Sequence, residues 1–66
     1  MQILINGRME QVPAGTTVAQ LLHTKKITAA AAVVAINDEV VERETWSDRA
    51  VSEGDQVEVI RIVGGG

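Results

Sequence analysis

One helical segment stands among several strand-like segments, and this imbalance limits the folds that the chain can adopt. Thr17 is followed three residues later by Gln20, which is the spacing of a helix-capping box. Val18, Leu21 and Leu22 then share one face at helical spacing. A sheet that is covered by a single short helix has one face in the core and one face in solvent.

Turn residues divide the rest of the chain into short strands. The helix is expected to end within residues 23–26. Asn6-Gly7 is a strong hairpin signal, because both positions can take positive φ. The predicted strands are residues 1–5, 8–12, 32–36, 39–42 and 56–63, with a single helical turn within 43–48. At 66 residues the chain is expected to form one α+β domain over residues 1–63, followed by a flexible glycine tail at 64–66.

The two-residue period of a strand assigns its side chains to faces. Gln2 and Leu4 share one face of the first strand, and Glu58, Ile60 and Ile62 share one face of the last. The polar members mark these as the solvent faces. We therefore hypothesise an exposed apolar patch that binds a partner, although scattered surface aliphatic residues are also common. Its members are Leu4, Ile60, Ile62 and, across the first hairpin, Met9.

The residue types that enzymes and nucleic-acid-binding proteins need are scarce. The chain has no cysteine, and a lone histidine, His23, is a poor start for a metal site. Trp46 is the only aromatic residue and the net charge is −3, which argues against nucleic-acid binding. The acidic pairs lack a base or a further acid, and no glycine-rich phosphate loop precedes a helix. These absences lead us to expect that the chain is not an enzyme. No leader pattern or apolar run near the ~20 residues of a membrane span is present, so we expect a cytoplasmic protein.

The C-terminus offers the one chemically useful group that remains. The last strand runs without a turn into Gly64, Gly65 and Gly66. Three residues extend roughly 10 Å at about 3.3–3.6 Å each, and glycine lets other groups approach the chain closely. The Gly66 carboxylate could therefore enter a narrow enzyme cleft, whereas the simpler alternative is an inert, disordered end.

A set of short motifs spans nearly the whole chain. They are Met1-Gln2-Ile3, Asn6-Gly7, Pro13-Ala14-Gly15-Thr16-Thr17-Val18, Leu21-Leu22, Ala35-Ile36-Asn37, Val40-Val41, Arg43-Glu44, Gly54-Asp55, Val57-Glu58 and Val63-Gly64-Gly65-Gly66. In this order they resemble the ubiquitin-like sulfur carriers, most closely the ThiS family of thiamine biosynthesis. Two departures lie far from the tail: Asn37-Asp38 replaces a common Asn-Gly, and Glu42 stands where proline is frequent.

The resemblance implies a β-grasp fold, in which a mixed sheet of four to five strands wraps around one short helix. The first and last strands would be adjacent and parallel, which would place Leu4 beside Ile60 and Ile62. It also implies that an E1-like adenylyltransferase (ThiF type) uses ATP to adenylate the Gly66 carboxylate. A sulfur-donor protein would then displace AMP to leave a thiocarboxylate, which a thiazole synthase (ThiG type) would consume. The residues expected to contact these partners are Leu4, Ile60, Ile62, Val63, Gly64 and Gly65.

On this view the chain is a co-substrate that binds no cofactor or metal of its own, because the ATP is used by the activating partner. Three alternatives stay open. The chain could carry sulfur for molybdopterin or another pathway. It could be conjugated to lysines through the same carboxylate. It could also be an inert β-grasp interaction domain whose glycines have no chemical role.

Overall fold

The structure is a computed structural model that describes residues 1–62 of the 66-residue chain. The expected contacts of Val63, Gly64 and Gly65, the reacting group of Gly66 and the flexible tail at 64–66 lie outside the described residues. The same holds for the predicted end of the last strand at Val63.

The described residues form one α-helix and five strands, in the order that the sequence predicts. The strands are β1 (Gln2–Ile5), β2 (Arg8–Gln11), β3 (Ala32–Ile36), β4 (Glu39–Val40) and β5 (Gln56–Arg61), and the helix is α1 (Val18–Thr24). Two short 3-10 helices lie at Ala29–Ala31 and Arg43–Thr45. The second is the predicted helical turn, and the first was not predicted.

The five strands form one mixed sheet in the order β2-β1-β5-β3-β4. β1 and β5 are parallel, and the three other pairs are antiparallel. The β-grasp fold is therefore confirmed, with the last strand of the chain at the centre of the sheet. A central strand is paired on both sides, so its path is set by two neighbours.

Helix α1 begins at a complete capping box, as predicted. The Thr17 hydroxyl accepts a hydrogen bond from the Gln20 backbone N–H at 3.2 Å, and the Gln20 side-chain carbonyl accepts from the Thr17 N–H at 2.9 Å. Two N–H groups that the first turn leaves without helical partners are thereby satisfied. The helix buries Val18, Leu21 and Leu22 against the inner face of the sheet.

The core is a single apolar cluster between α1 and the inner face of the sheet. Trp46 belongs to it with only 4% of its surface exposed, and its indole N–H donates to the Val41 carbonyl at 2.9 Å. The buried members are Ile3, Ile5, Val18, Leu21, Leu22, Ala32, Val34, Ile36, Val41, Trp46, Val51, Val57 and Val59. No polar or charged residue of the described part is buried.

The register of β2 follows from a two-residue turn. Asn6 and Gly7 both have positive φ, and Leu4 pairs with Met9. Met9 and Val12 differ in parity, so both could face the core only across a bulge. The structure places Met9 in solvent and packs Val12 against the core, and no bulge is required.

Candidate functional site

Strand β5 leads directly to the C-terminal glycines. It lies between β1 and β3 and is the longest strand of the sheet. At its end, the Ile62 N–H donates to the Ala31 carbonyl at 2.7 Å. The chain is therefore fixed by hydrogen bonds up to Ile62, and four residues follow to Gly66.

The expected position of Leu4 beside Ile60 and Ile62 is wrong. In the parallel pair, Leu4 lies opposite Gln56 and Ile5 lies opposite Val57. Ile60 is four residues further along β5, roughly 13 Å away at about 3.3 Å per residue. The physical reason is the tight turn after Ile5, which takes the chain into β2, on the side of β1 away from β5, before β1 can reach the second half of β5.

Apolar side chains on the outer face consequently form two clusters, each with one half-buried and one exposed member. Leu4 and its cross-strand partner Met9 form the first, which we call the Leu4–Met9 cluster. Ile60 and its partner Val33 on β3 form the second, the Val33–Ile60 cluster. Met9 is 68% exposed and Ile60 is 57% exposed. The Val33–Ile60 cluster is the nearer of the two to the C-terminus along the chain.

Two further features describe the surface around these clusters. Glu58 lies on the outer face of β5 between the levels of Gln56 and Ile60, so a carboxylate separates the two clusters. Ile62 is also exposed, and it lines a shallow groove whose walls include Lys26, Ile27 and Ala31. Ile60 and Ile62 thus present apolar surface beside the last described residues, as expected, whereas Leu4 does so at a distance.

Asn6 makes contacts with β5 that the sequence did not predict. Its side-chain carbonyl accepts from the Val59 N–H at 2.9 Å, and its side-chain amide donates to the Val59 carbonyl at 3.2 Å. Its own backbone N–H donates to the Val57 carbonyl at 2.9 Å. The Asn6-Gly7 pair predicts a turn, and nothing in that pattern indicates a second role for the asparagine side chain.

The other polar residues of the described part show no catalytic arrangement. His23 is exposed on α1, and residues 1–62 contain no group of three or more histidine, cysteine or acidic side chains that could hold a metal ion. Glu10 and Lys25 form an ion pair at 2.6 Å, half-exposed, between β2 and the end of α1. No helix among these residues is long and apolar enough to cross a membrane.

The fold and its last strand define a class of protein. A mixed five-stranded sheet around one helix, whose central strand leads to a glycine C-terminus, is the architecture of a ubiquitin-like β-grasp protein. A family model described as the ThiS family matches residues 3–66. The chain belongs to the ThiS family.

Individual relatives agree with this assignment over the whole chain. The chain is 41% identical over 66 residues to the sulfur carrier protein ThiS of Escherichia coli (strain K12), and the match covers 100% of both chains. A crystal structure of the thiamine biosynthesis protein (ThiS) from Geobacter metallireducens matches with a TM-score of 0.85 and 35% identity, again over 100% of both chains. A thiazole synthase of Paramagnetospirillum magneticum (strain ATCC 700264 / AMB-1) is 32% identical over 66 residues, which are 100% of this chain and 20% of that protein.

Proposed function

We propose that this chain is the sulfur carrier for formation of the thiazole moiety of thiamine and that the Gly66 carboxylate is its reacting group. The observation that carries the proposal is the full-length similarity to the sulfur carrier ThiS, which extends through the terminal glycines. The position of β5 supports it, since the central strand of the sheet leads to that carboxylate. The protein is then consumed and regenerated as a co-substrate and is not a catalyst.

The proposed chemistry explains why the chain ends in glycine. A carboxylate is a poor electrophile until one oxygen belongs to a good leaving group. The Gly66 carboxylate oxygen attacks the α-phosphorus of ATP and pyrophosphate leaves, which gives an acyl adenylate. Sulfur that the donor supplies as hydrosulfide then attacks the acyl carbon, AMP leaves, and a thiocarboxylate remains. Glycine has no side chain to hinder either attack or the close approach of enzyme groups.

The partners follow from these steps. ATP would be bound by an E1-like adenylyltransferase, sulfur would come from a donor protein, and a thiazole synthase would receive it. The thiazole synthase chains that contain a segment similar to this protein support the last of these partners. We place the reactions in the cytoplasm, where ATP is available. The Val33–Ile60 cluster, Ile62 and residues 63–65 would contact the partners near the carboxylate, and Leu4 would contact them further away.

Deletion of Gly66 tests the role of the carboxylate. The shortened chain should fold like the wild type, because the core and every described strand lie within residues 1–62. It should no longer support ATP–pyrophosphate exchange by the cognate activating enzyme, since the carboxylate would stand one residue short of the reaction centre. Circular dichroism and urea denaturation provide the control for folding. Exchange at the wild-type rate by the shortened chain would overturn the proposed reacting group.

A further inference from the structure

The side chain of Asn6 continues the pairing of β1 with β5 after β1 has ended. The backbone register of the two strands stops at Ile5 opposite Val57. The Asn6 side chain then exchanges two hydrogen bonds with the backbone of Val59, at 2.9 and 3.2 Å. An amide side chain carries the same donor and acceptor as a peptide group. Asn6 therefore replaces the strand residue that the turn removed.

This contact is the last one on the β1 side of β5 within residues 1–62. Beyond Val59, the described part of β5 pairs only with β3, through Ile60 opposite Val33 and Arg61 opposite Ala32. The final hydrogen bond to that side runs from Ile62 to Ala31. Without Asn6, the strand would be held on one side only from residue 58 onward. A strand end that is held on one side frays more readily than one that is held on both.

We propose that Asn6 is a positioning residue for the C-terminal carboxylate. It holds the end of β5 in place, so that this end of the sheet needs less ordering when an activating enzyme binds the carrier. A segment that is already ordered in the free protein loses no conformational entropy on binding, so its ordering does not reduce the affinity. Asn6 bonds to Val59, which precedes Gly66 by seven residues, so it acts on binding of the carrier and not on the reacting atoms. The inference rests on the proposed function, because it concerns activation of that carboxylate.

Asn37 provides a matched control in the same protein. It also occupies a turn position with positive φ, 52° against 50° for Asn6. Its side-chain carbonyl accepts from the Gln56 N–H at 3.0 Å, and its amide donates to the Asp55 carboxylate at 3.1 Å. Each asparagine thus makes two side-chain hydrogen bonds, those of Asn37 to the first residue of β5 and the residue before it, and those of Asn6 to Val59 in the second half of the strand. Only Asn6 bonds to the end that leads to the C-terminus.

The test compares Asn6→Gly with Asn37→Gly. Glycine accepts positive φ, so each variant keeps its turn and loses only the side-chain bonds. Asn6→Gly should raise the KM of the activating enzyme for the carrier about tenfold, the equivalent of roughly one net hydrogen bond. The kcat at saturating carrier should not change. Asn37→Gly should leave both constants at their wild-type values, although the two variants should unfold at similar urea concentrations.

Amide hydrogen exchange on the free protein gives a second readout that does not depend on the enzyme. Asn6→Gly should speed exchange at Ile60 and Ile62 more than at the core amides of β3, whereas Asn37→Gly should not. Asn6→Asp, which keeps the acceptor and loses the donor, should give an intermediate KM.

Several results would contradict the proposal or the function on which it rests. Equal changes in KM for the two glycine variants, or a change in kcat alone for Asn6→Gly, would show that Asn6 has only a structural role. Uniform acceleration of exchange over the whole sheet would do the same. If the wild-type chain itself is not adenylated, the proposed function fails. If the wild type and Asn6→Gly are adenylated with the same KM, only the role of Asn6 fails.

Discussion

Two neighbouring residues of β5 offer a direct test of which face of the sheet binds a partner. Val59 points into the core and is 9% exposed, whereas Ile60 points outward and is 57% exposed. Replacement of each by aspartate introduces the same charge and the same poor strand former one residue apart. The two substitutions therefore share the cost of placing aspartate in a strand, and they differ in the environment of the side chain.

The structure predicts very different costs for them. Complete burial of an aliphatic side chain is worth about 1.5–3 kcal/mol. Ile60 is less than half buried, so its removal should reduce the free energy of unfolding by about 1 kcal/mol. Val59→Asp loses the whole contribution and leaves an unpaired carboxylate in the core, which costs several kcal/mol more. A chain of this length has a total stability of about 3–10 kcal/mol, so Val59→Asp should be largely unfolded.

Urea denaturation measures the stability, and titration calorimetry with the activating enzyme measures the binding. Ile60→Asp should fold and should bind the enzyme at least about tenfold more weakly, since a charge would replace apolar contact at the interface. Glu39→Asp, a conservative change at an exposed position of β4, is the control for binding. Unfolding of Ile60→Asp together with folding of Val59→Asp would show that the inner and outer faces are reversed. Unchanged binding by a folded Ile60→Asp would exclude the Val33–Ile60 cluster from the interface.

Two further substitutions test the packing around the site. Trp46→Phe should reduce the free energy of unfolding by about 1–3 kcal/mol, because the buried Val41 carbonyl loses its donor; a thermal melt that matches the wild type would contradict the assigned hydrogen bond. Thr17→Ala should cost about 1 kcal/mol through loss of the helix cap, and Thr24→Ala, at the exposed last residue of α1, serves as its control in the same urea titration.

Local patterns predicted the elements of this fold well. The capping box at Thr17 and Gln20 placed the start of α1 at the correct residue, because the motif depends only on groups within one helical turn. The turn at Asn6-Gly7 set the register of β1 and β2, since a two-residue loop leaves one pairing. The alternation of strand faces correctly separated Val59 from Ile60.

Features that depend on distant parts of the chain were predicted less well. The offset between the parallel strands β1 and β5 cannot be read from the pattern of either strand, and the placement of Leu4 beside Ile60 was wrong because β1 ends opposite Val57, at the turn after Ile5. Trp46 stands alone in a polar segment, so no period indicates that it enters the core. The second role of Asn6 depends on the position of Val59, which is 53 residues away in the chain.

The assignment to a carrier family changes how the surface is interpreted. Ion pairs and histidines would draw attention in an enzyme, but in the proposed function the reacting group is the main-chain carboxylate of Gly66. In that proposal the described residues would fold the domain, fix the end of β5 and present apolar surface to partners. The two clusters on the outer face, separated by Glu58, would allow one partner to contact both or two partners to favour different ones.

The intact mass of the protein from cells that are making thiamine tests the central claim most directly. We predict a fraction whose mass exceeds that of the unmodified chain by one exchange of oxygen for sulfur, and fragmentation should place that exchange at Gly66. The fraction should disappear in cells that lack the activating enzyme. A chain that is found joined to lysines of other proteins, or that keeps an unmodified carboxylate while thiazole is being formed, would contradict the proposed function.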